Sequence, residues 1–501
     1  MDVEFLRCQY EDGFSGVLTK YRFNIGIRHI QLLYMLASSV SLGLVRGSTG
    51  VAVLAINDET RLNDTYIQVH NWDKRIQGAV LSSFFFGYAM TLVPADLYLK
   101  RIGGKLILTL ILAVNGALCV AMPTIVNKGG WVAACNAQLF MGMSHGCFSS
   151  VYETLLERWT PPNERAVFNN IIYSGLHLGI ILAFPVSGLL SQMPLGWEFI
   201  YYALAMVTLS LAVIIGTLTA STPEEHQAIG DDEKEHINET RSLYRKKVLR
   251  RPWRRIVKSP KFWAIACAHA ASNALFVFHL TVVPLYFKMQ GLPKLTVHYY
   301  SAMPFGAMWI SNLITTSTLD WMLKFGCMDY IFNMTYFRKL INALGAFGVI
   351  IALTILPSLG VGWPSTTVLT AVLAMLGFQL TGFLNSYKDM SENFAGTLLM
   401  MTSAFSSIIG AAVPFVCGCI LKDDYTDLKR WRVVLLTLAS IYAACNVFYI
   451  VFGNSKRQDW DQENVASKMG HYNCVIDVTQ VQLDEFNTRM FREKYVDDTT
   501  F

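Results

Sequence analysis

Residues 30–56 read IQLLYMLASSVSLGLVRGSTGVAVLAI. The stretch holds no acid and one base, Arg46. About 20 apolar residues cross the hydrocarbon core of a bilayer as a helix. The stretch therefore predicts a transmembrane helix with Arg46 well inside it. An arginine at that depth costs about 2.5–3.5 kcal/mol on insertion scales. Such a cost is tolerable where the guanidinium meets a water-filled cavity, a partner or an anion. Two readings follow. Arg46 binds a negatively charged ligand, or it is pinned by helix carbonyls or a neighbouring acid. Gly43, Gly47 and Gly50 fall on the same side of the helix. Their smooth face suits close helix contact or leaves room for a solute.

The whole chain repeats this character. Of its 501 residues 53% are hydrophobic and 15% charged, well under the roughly 25% charged of soluble domains. The ten cysteines form neither a zinc spacing nor a dense disulfide framework. Most, including Cys119, Cys147, Cys267 and Cys445, lie inside apolar segments, where cysteine behaves as a small hydrophobe. The net charge of +5 gives no reason to invoke nucleic acid. The polar start, MDVEFLRCQYEDGF, lacks a cleavable signal pattern.

Hydropathy predicts twelve spans, near 30–56, 77–99, 105–125, 131–157, 166–191, 197–220, 261–287, 297–323, 337–357, 363–386, 393–421 and 432–453. The longest polar interruption, 222–259, is acidic first (PEEHQAIGDDEKEHINE) and then strongly basic (RSLYRKKVLRRPWRRIVKS). Basic loops stay in the cytosol. With six spans on each side, both termini are then cytosolic. The expected organisation is a cytosolic segment 1–29, a six-helix bundle 30–221, a cytosolic loop 222–259, a second bundle 260–453 and a solvated cytosolic tail 454–501. One loop runs against the rule: Lys422, Lys429 and Arg430 fall outside, offset by Asp423, Asp424 and Asp427.

The halves resemble one another. LGIILAFPVSGLL, with Gly179, Pro185 and Gly188, recurs as IGAAVPFVCGCIL, with Gly410, Pro414 and Gly418, each followed by a polar turn and a tryptophan, Trp197 or Trp431. This reads as a duplicated six-helix unit in parallel orientation, able to support alternating access. Asn63-Asp64-Thr65 is a glycosylation sequon in the first outer loop, so Asn63 is the expected acceptor.

Further motifs run along almost the whole length. They include Arg46 with Gly50-Val51-Ala52-Val53, Trp72, Ser83-Phe84-Phe85-Phe86-Gly87-Tyr88 with Pro94, and Arg101-Ile102-Gly103-Gly104-Lys105. Trp159-Thr160-Pro161-Pro162-Asn163-Glu164-Arg165 follows, then Pro284 with Tyr286-Phe287, Arg338-Lys339, Asp389 with Ala395, and Gln458-Asp459-Trp460. With these motifs the chain resembles the major facilitator superfamily, in its anion–cation symporter branch, solute carrier family 17. That branch comprises sodium–phosphate cotransporters, sialin and vesicular glutamate transporters. The resemblance implies an all-α major facilitator fold of twelve transmembrane helices in two bundles, and a carrier of small anions. It also implies coupling to sodium, protons or membrane potential, with no other cofactor. Arg46 matches the family's first-helix substrate arginine. The chain departs from the family elsewhere. Gln138 stands where many members have a second arginine, and His145 where they have a glutamate tied to proton coupling. Leu81 and Ser272 replace a histidine and an arginine of the glutamate transporters.

Other polar groups sit at membrane depth. An imidazole ordinarily titrates near neutral pH, which would suit His145 to proton exchange; unlike a carboxylate it leaves Arg46 unpaired. It is a candidate for substrate and proton binding, or else a hydrogen-bonded interior histidine. Glu153, two turns further along, is a candidate proton site or a structural ion-pair partner. Tyr88 and Asn385, taken as near mid-depth, are candidate hydrogen-bonding groups for a solute. Glu164 and Arg165 are expected to tie helix ends together at the cytosolic gate. Asp96 and Asp389 are expected to pair with Lys100, Arg101 or Lys388. His177, His269 and His279 are scattered and read as core residues. No spacing suggests a metal or an intramembrane enzyme. The expected partners are a small anionic solute and the bilayer, around a monomeric chain. Plasma membrane and vesicular or lysosomal membrane are both open. The rival reading is a non-transporting sensor or scaffold derived from such a carrier.

Overall fold

The computed structural model describes residues 26–62, 67–99, 102–243, 251–324, 334–359, 362–391, 393–422 and 424–461. Asn63, Lys100 and Arg101 lie outside the described residues, as does the tail beyond 461. The N-terminal half contains α1 (Ile27–Ile56), α2 (Lys74–Tyr98), α3 (Gly104–Gly146), α4 (Phe148–Trp159), α5 (Pro162–Leu190) and α6 (Gly196–Leu218). Two short helices follow, α7 (Asp231–Leu243) and α8 (Trp253–Lys258). The C-terminal half contains α9 (Pro260–Thr281), α10 (Val283–Met289), α11 (Lys294–Lys324), α12 (Met334–Ile355) and α13 (Trp363–Phe383). It ends with α14 (Ser386–Met390), α15 (Ala395–Leu421) and α16 (Leu428–Phe452).

Among the described residues, ten helices are long and apolar enough to cross a membrane. One of them, Gly104–Trp159, is two crossings. Gly130 breaks it with φ 64° and ψ −162°, a backbone that residues with a Cβ rarely adopt. Asn115 Nδ2 then donates to Ser144 Oγ at 2.7 Å. Along a continuous helix those residues would be about 43 Å apart, so the chain doubles back at Gly130. Lys294–Lys324 is not among the ten but packs against α5 and α13. The tally agrees with twelve spans.

Small residues set how closely the helices approach. Gly43 on α1 faces Gly179 on α5, Gly47 lies against Ile180 and Ala183, and Gly175 lies against Leu36 and Ser39. A Cβ at Gly43 would strike Leu176 O, and one at Gly179 would strike Val40 O. The glycine face of α1 thus serves close packing in the manner of paired small-xxx-small motifs. Gly50 meets the second half instead: its Cβ would lie 2.6 Å from Leu280 O. The packing is alike in the two halves: α1 lies on α5 and α2 on α15, while α9 lies on α15 and α11 on α5. Trp197 and Trp431 are both buried at outer helix starts, and their indole N–H groups donate to Gln68 O (3.1 Å) and Tyr425 O (2.7 Å).

The end opposite segment 222–259, the expected outer side, is held closed by contacts between the halves. Gly78 and Gly418 bring α2 and α15 into backbone contact at Pro414 O and Lys74 O. Asp58, just beyond α1, takes an ion pair from Lys294 of the second half at 2.5 Å. The outer loop that broke the charge rule is internally compensated, with Arg430 beside Asp427 (3.5 Å) and donating to Leu421 O (2.5 Å).

The end that carries segment 222–259 corrects several expectations. Segment 222–259 is not simply a loop. Its helix α7 docks through buried Ile237, and Glu233 accepts the α1 backbone N–H groups of Ile27 (3.0 Å) and Arg28 (3.1 Å). A carboxylate there caps the helix and meets the positive end of its dipole. Arg28 also pairs with Glu164 at 3.1 Å, and Arg165 donates to Glu157 O and Thr160 O. Both residues tie helix ends together as expected. Asp96 pairs with Arg251 at 3.1 Å, its expected partners Lys100 and Arg101 lying outside the described residues, and Asp389 pairs with Arg338 at 3.1 Å rather than with Lys388. The beginning of the tail is docked rather than solvated. Gln458 N donates to Met390 O (3.1 Å), and buried Asp461 accepts from Ser391 (2.8 Å) and Asn393 (3.0 Å).

Candidate functional site

Arg46 lies nineteen residues into α1 and ten from its outer end, about 28 and 15 Å along the axis. Its guanidinium carbon sits over three rings: Phe85 at 5.4 Å, Tyr88 at 5.3 Å and Phe276 at 5.4 Å. Two rings come from α2 and the third from α9, so the cation stands where the two halves meet. Cation–π contacts are worth about 0.5–2 kcal/mol each, and together they offset much of the burial cost. Tyr88 also places its hydroxyl within electrostatic range of the guanidinium. None of the contacts of Arg46 among the described residues is a carboxylate. Its Nε is buried with no partner.

Histidine surrounds this cation on two sides. His177 on α5 is within electrostatic range of Arg46. Its Nδ1–H donates to Tyr173 O at 2.9 Å, which leaves Nε2 as the acceptor in the neutral ring. Tyr173 is in range of Tyr88 and Glu153. His145 is also in range of Arg46. It packs edge-on against Phe84 at 5.1 Å, fully buried, with Nε2 unpartnered. Unsatisfied polar atoms in a dry interior cost about 1–3 kcal/mol each. Here they converge on one place at mid-depth.

The place is not sealed throughout. Arg46, Tyr88, Tyr173, His177, Asn273 and Phe276 each retain accessible surface at mid-depth, and Glu153 and His269 retain it nearer the cytosol. On the outer side Val51, Ala52, Val53 and Ile56 are fully buried. The partly accessible residues thus lie between Arg46 and the end of the bundle that carries segment 222–259.

Of the residues singled out from sequence, Arg46, Tyr88 and His145 come together, and Glu153 lies about two turns towards the cytosol. Asn385 does not join them. It follows α13, and its Nδ2 donates to Thr381 O at 3.1 Å, the carbonyl that also takes Arg338. It belongs with the cytosolic Arg338–Asp389 pair, because α13 ends earlier than the hydropathy boundary. His177, Tyr173 and Phe276 were missed. A histidine in mid-span at the depth of Tyr88 was the available signal, but α5 had to be placed beside α1 to give it meaning. Gln138, in place of a second arginine, is buried with Oε1 unpartnered, and Ser272 Oγ is likewise unpartnered.

Two six-helix bundles, a mid-membrane cation boxed by rings from both and an outer seal made of inter-bundle contacts define a multi-pass carrier that works by alternating access. Residues 35–414 match the Major Facilitator Superfamily. The chain belongs to that superfamily, in its anion–cation symporter branch, solute carrier family 17. A protein of Drosophila ananassae named "Putative inorganic phosphate cotransporter" is 30% identical over 398 residues, spanning 78% of this chain and 81% of that one. Human sialin is 26% identical over 396 residues, 78% of each chain. Vesicular glutamate transporter 3 of Danio rerio is 24% identical over 456 residues, 88% of this chain and 75% of that one. The same fold occurs in a bacterial homologue of the human lysosomal transporter Spinster, inward-facing and unoccupied. Its TM-score is 0.66 at 13% identity, over 87% of this chain and 100% of that one. A D-xylose–proton symporter gives 0.64 at 13% identity, over 85% and 99%.

Proposed function

We propose that this chain is a secondary active transporter of small organic or inorganic anions, of the phosphate or carboxylate kind, with Arg46 as the substrate-binding cation. The observation that carries the assignment is the condition of Arg46: permanently charged, at mid-depth, without a carboxylate, and partly accessible. A guanidinium presents a planar fork that matches carboxylate and phosphate oxygens. Tyr88 adds a hydroxyl beside it. The relatives named for inorganic phosphate, and those named sialin and vesicular glutamate transporter, support an anionic cargo.

A cation or proton enters with the anion and links loading to the gradient. His145, His177 and Glu153 are the groups available for a proton, and the neutral histidines leave Arg46 its full charge for substrate. Rocking of the halves about the α2–α15 and α5–α11 seams then exchanges the accessible side. The carrier acts as a monomer, since each chain holds a complete site.

The test is uptake by the purified chain in proteoliposomes. Phosphate, urate, sialate, glutamate and nucleotides are offered in turn under separate sodium, proton and voltage gradients. Concentrative uptake of at least one anion under one gradient is expected. Saturable anion binding with no flux under any gradient would instead assign the chain as a sensor or scaffold.

A further inference from the structure

A lateral groove of about 530 Å³ opens on the outer half of the molecule, between α2, the second arm of α3 and α15. Its mouth residues Phe86, Ile408 and Phe415 are exposed, and in a chain of this class they face lipid. Its walls hold small residues, Ala79, Ala411 and Ala412. Its floor is polar. Ser82 Oγ is buried with no hydrogen-bond partner. Asn136 is exposed and donates Nδ2 to Val132 O at 3.1 Å, which leaves its amide oxygen without a partner among the described residues. Ser82 lies eight residues from the start of α2, and Asn136 six from the turn at Gly130. Those spacings put them about 12 and 9 Å inside the outer helix ends, within hydrocarbon, where unsatisfied polar groups are costly.

We infer that this groove binds a sterol-class lipid, a flat apolar body bearing one neutral hydroxyl. No charged side chain lines it, so it offers nothing to a phospholipid phosphate. Acyl tails carry no donor or acceptor for Asn136 or Ser82. A single hydroxyl reaching just below the interface satisfies them, and the alanine walls accommodate fused rings. The volume falls within the range of small-molecule sites. The groove also bridges the halves: α2 and α3 supply one wall and α15 the other, along the α2–α15 seam. A sterol bound there contacts both halves while the outer side is shut, and so holds that side shut. This effect does not depend on which anion is carried.

Full-length protein in nanodiscs is labelled with a photoreactive sterol and the adducts are mapped by mass spectrometry. Adducts are expected in 79–86, 135–139 and 408–415, and competition is expected from cholesterol but not from the same ring system without its hydroxyl. Asn136→Leu weakens sterol competition by about 2- to 10-fold, the worth of one hydrogen bond. Ala412→Trp fills the groove and abolishes the adducts. Each variant is read only where it keeps the wild-type melting temperature, and one such variant suffices. Adducts that map elsewhere, a well-folded Ala412→Trp that labels like wild type, or equal competition by the hydroxyl-free ring or by phosphatidylcholine would overturn the assignment.

Discussion

Replacing Arg46 by glutamine separates its cost to the fold from its use in binding. The guanidinium holds three rings at 5.3–5.4 Å, about 0.5–2 kcal/mol each. Removing it also removes a burial cost of about 2.5–3.5 kcal/mol. The two nearly cancel, so the variant should reach the membrane and melt close to wild type. Binding is different. Two charge-assisted hydrogen bonds from the fork to an anion are worth about 1.5–3 kcal/mol each. Their loss weakens substrate binding by roughly 10²- to 10⁴-fold. Lysine keeps the charge but not the fork or the ring stacking, and should fall between. The assay is initial uptake of labelled anion into proteoliposomes at subsaturating concentration, with melting followed by fluorescence. Wild-type uptake by a well-folded Arg46→Gln protein would refute the reasoning.

The outer latch gives a second test. Burial raises the Asp58 carboxyl, but hydrogen bonds from Lys294 and Thr60 and the Lys294 charge outweigh it, leaving the carboxyl below its ordinary value. A depressed acid contributes above its unfolded pKa, near 3.9, and loses that contribution only as pH falls through the lower folded value. Lys294→Ala should therefore increase outer-side thiol labelling of a V53C probe, while wild type labels equally at pH 7.5 and 5. Glu233→Ala removes the carboxylate that caps α1 and should lower the melting temperature by the equivalent of about 1–2 kcal/mol, with substrate affinity unchanged. Gly43→Val drives a side chain into the α5 backbone and should cost about 1–3 kcal/mol or more, read as loss of melting temperature and expression. His177→Gln keeps a hydrogen-bonding side chain but cannot titrate; if a proton is the coupling ion, the pH dependence of uptake should flatten while the melting temperature holds.

The helices were legible because crossing a membrane imposes a length and a composition that local reading detects. The doubling back at Gly130 was visible as a gap between apolar runs. What escaped was tertiary. Asp96 and Asp389 reach across the fold to Arg251 and Arg338, and no local pattern announces that. Helix α7 is mostly polar, and Glu233 and the buried Ile237 dock it against the bundle. Trp460, Gln458 and Asp461 form a docked end of the tail whose partners lie about 70 residues back, near Ser391. At the site, Arg46 stood out because a lone charge in an apolar run is rare. Phe276 and His177 did not, since aromatic and lone histidine residues are common in such runs and gain meaning only from the neighbours the fold supplies. Asn385 was misjudged because a polar residue at the frayed end of a helix reads, locally, like one inside it.

One permanent charge at mid-depth also decides which half of a transport cycle feels voltage. A bound monoanion cancels Arg46, so a form loaded with the anion alone reorients with almost no net charge crossing the field, and a form that also holds a proton or sodium carries one positive charge. The vacant form carries its cation uncovered. A unit charge traversing the whole field is worth about 2.3 kcal/mol per 100 mV, which bounds the effect on the vacant protein. A negative interior then favours the vacant site open to the cytosol and slows its return. Polarisation should throttle the return of the vacant form, and it leaves the loaded stroke untouched only where the anion travels without a cation.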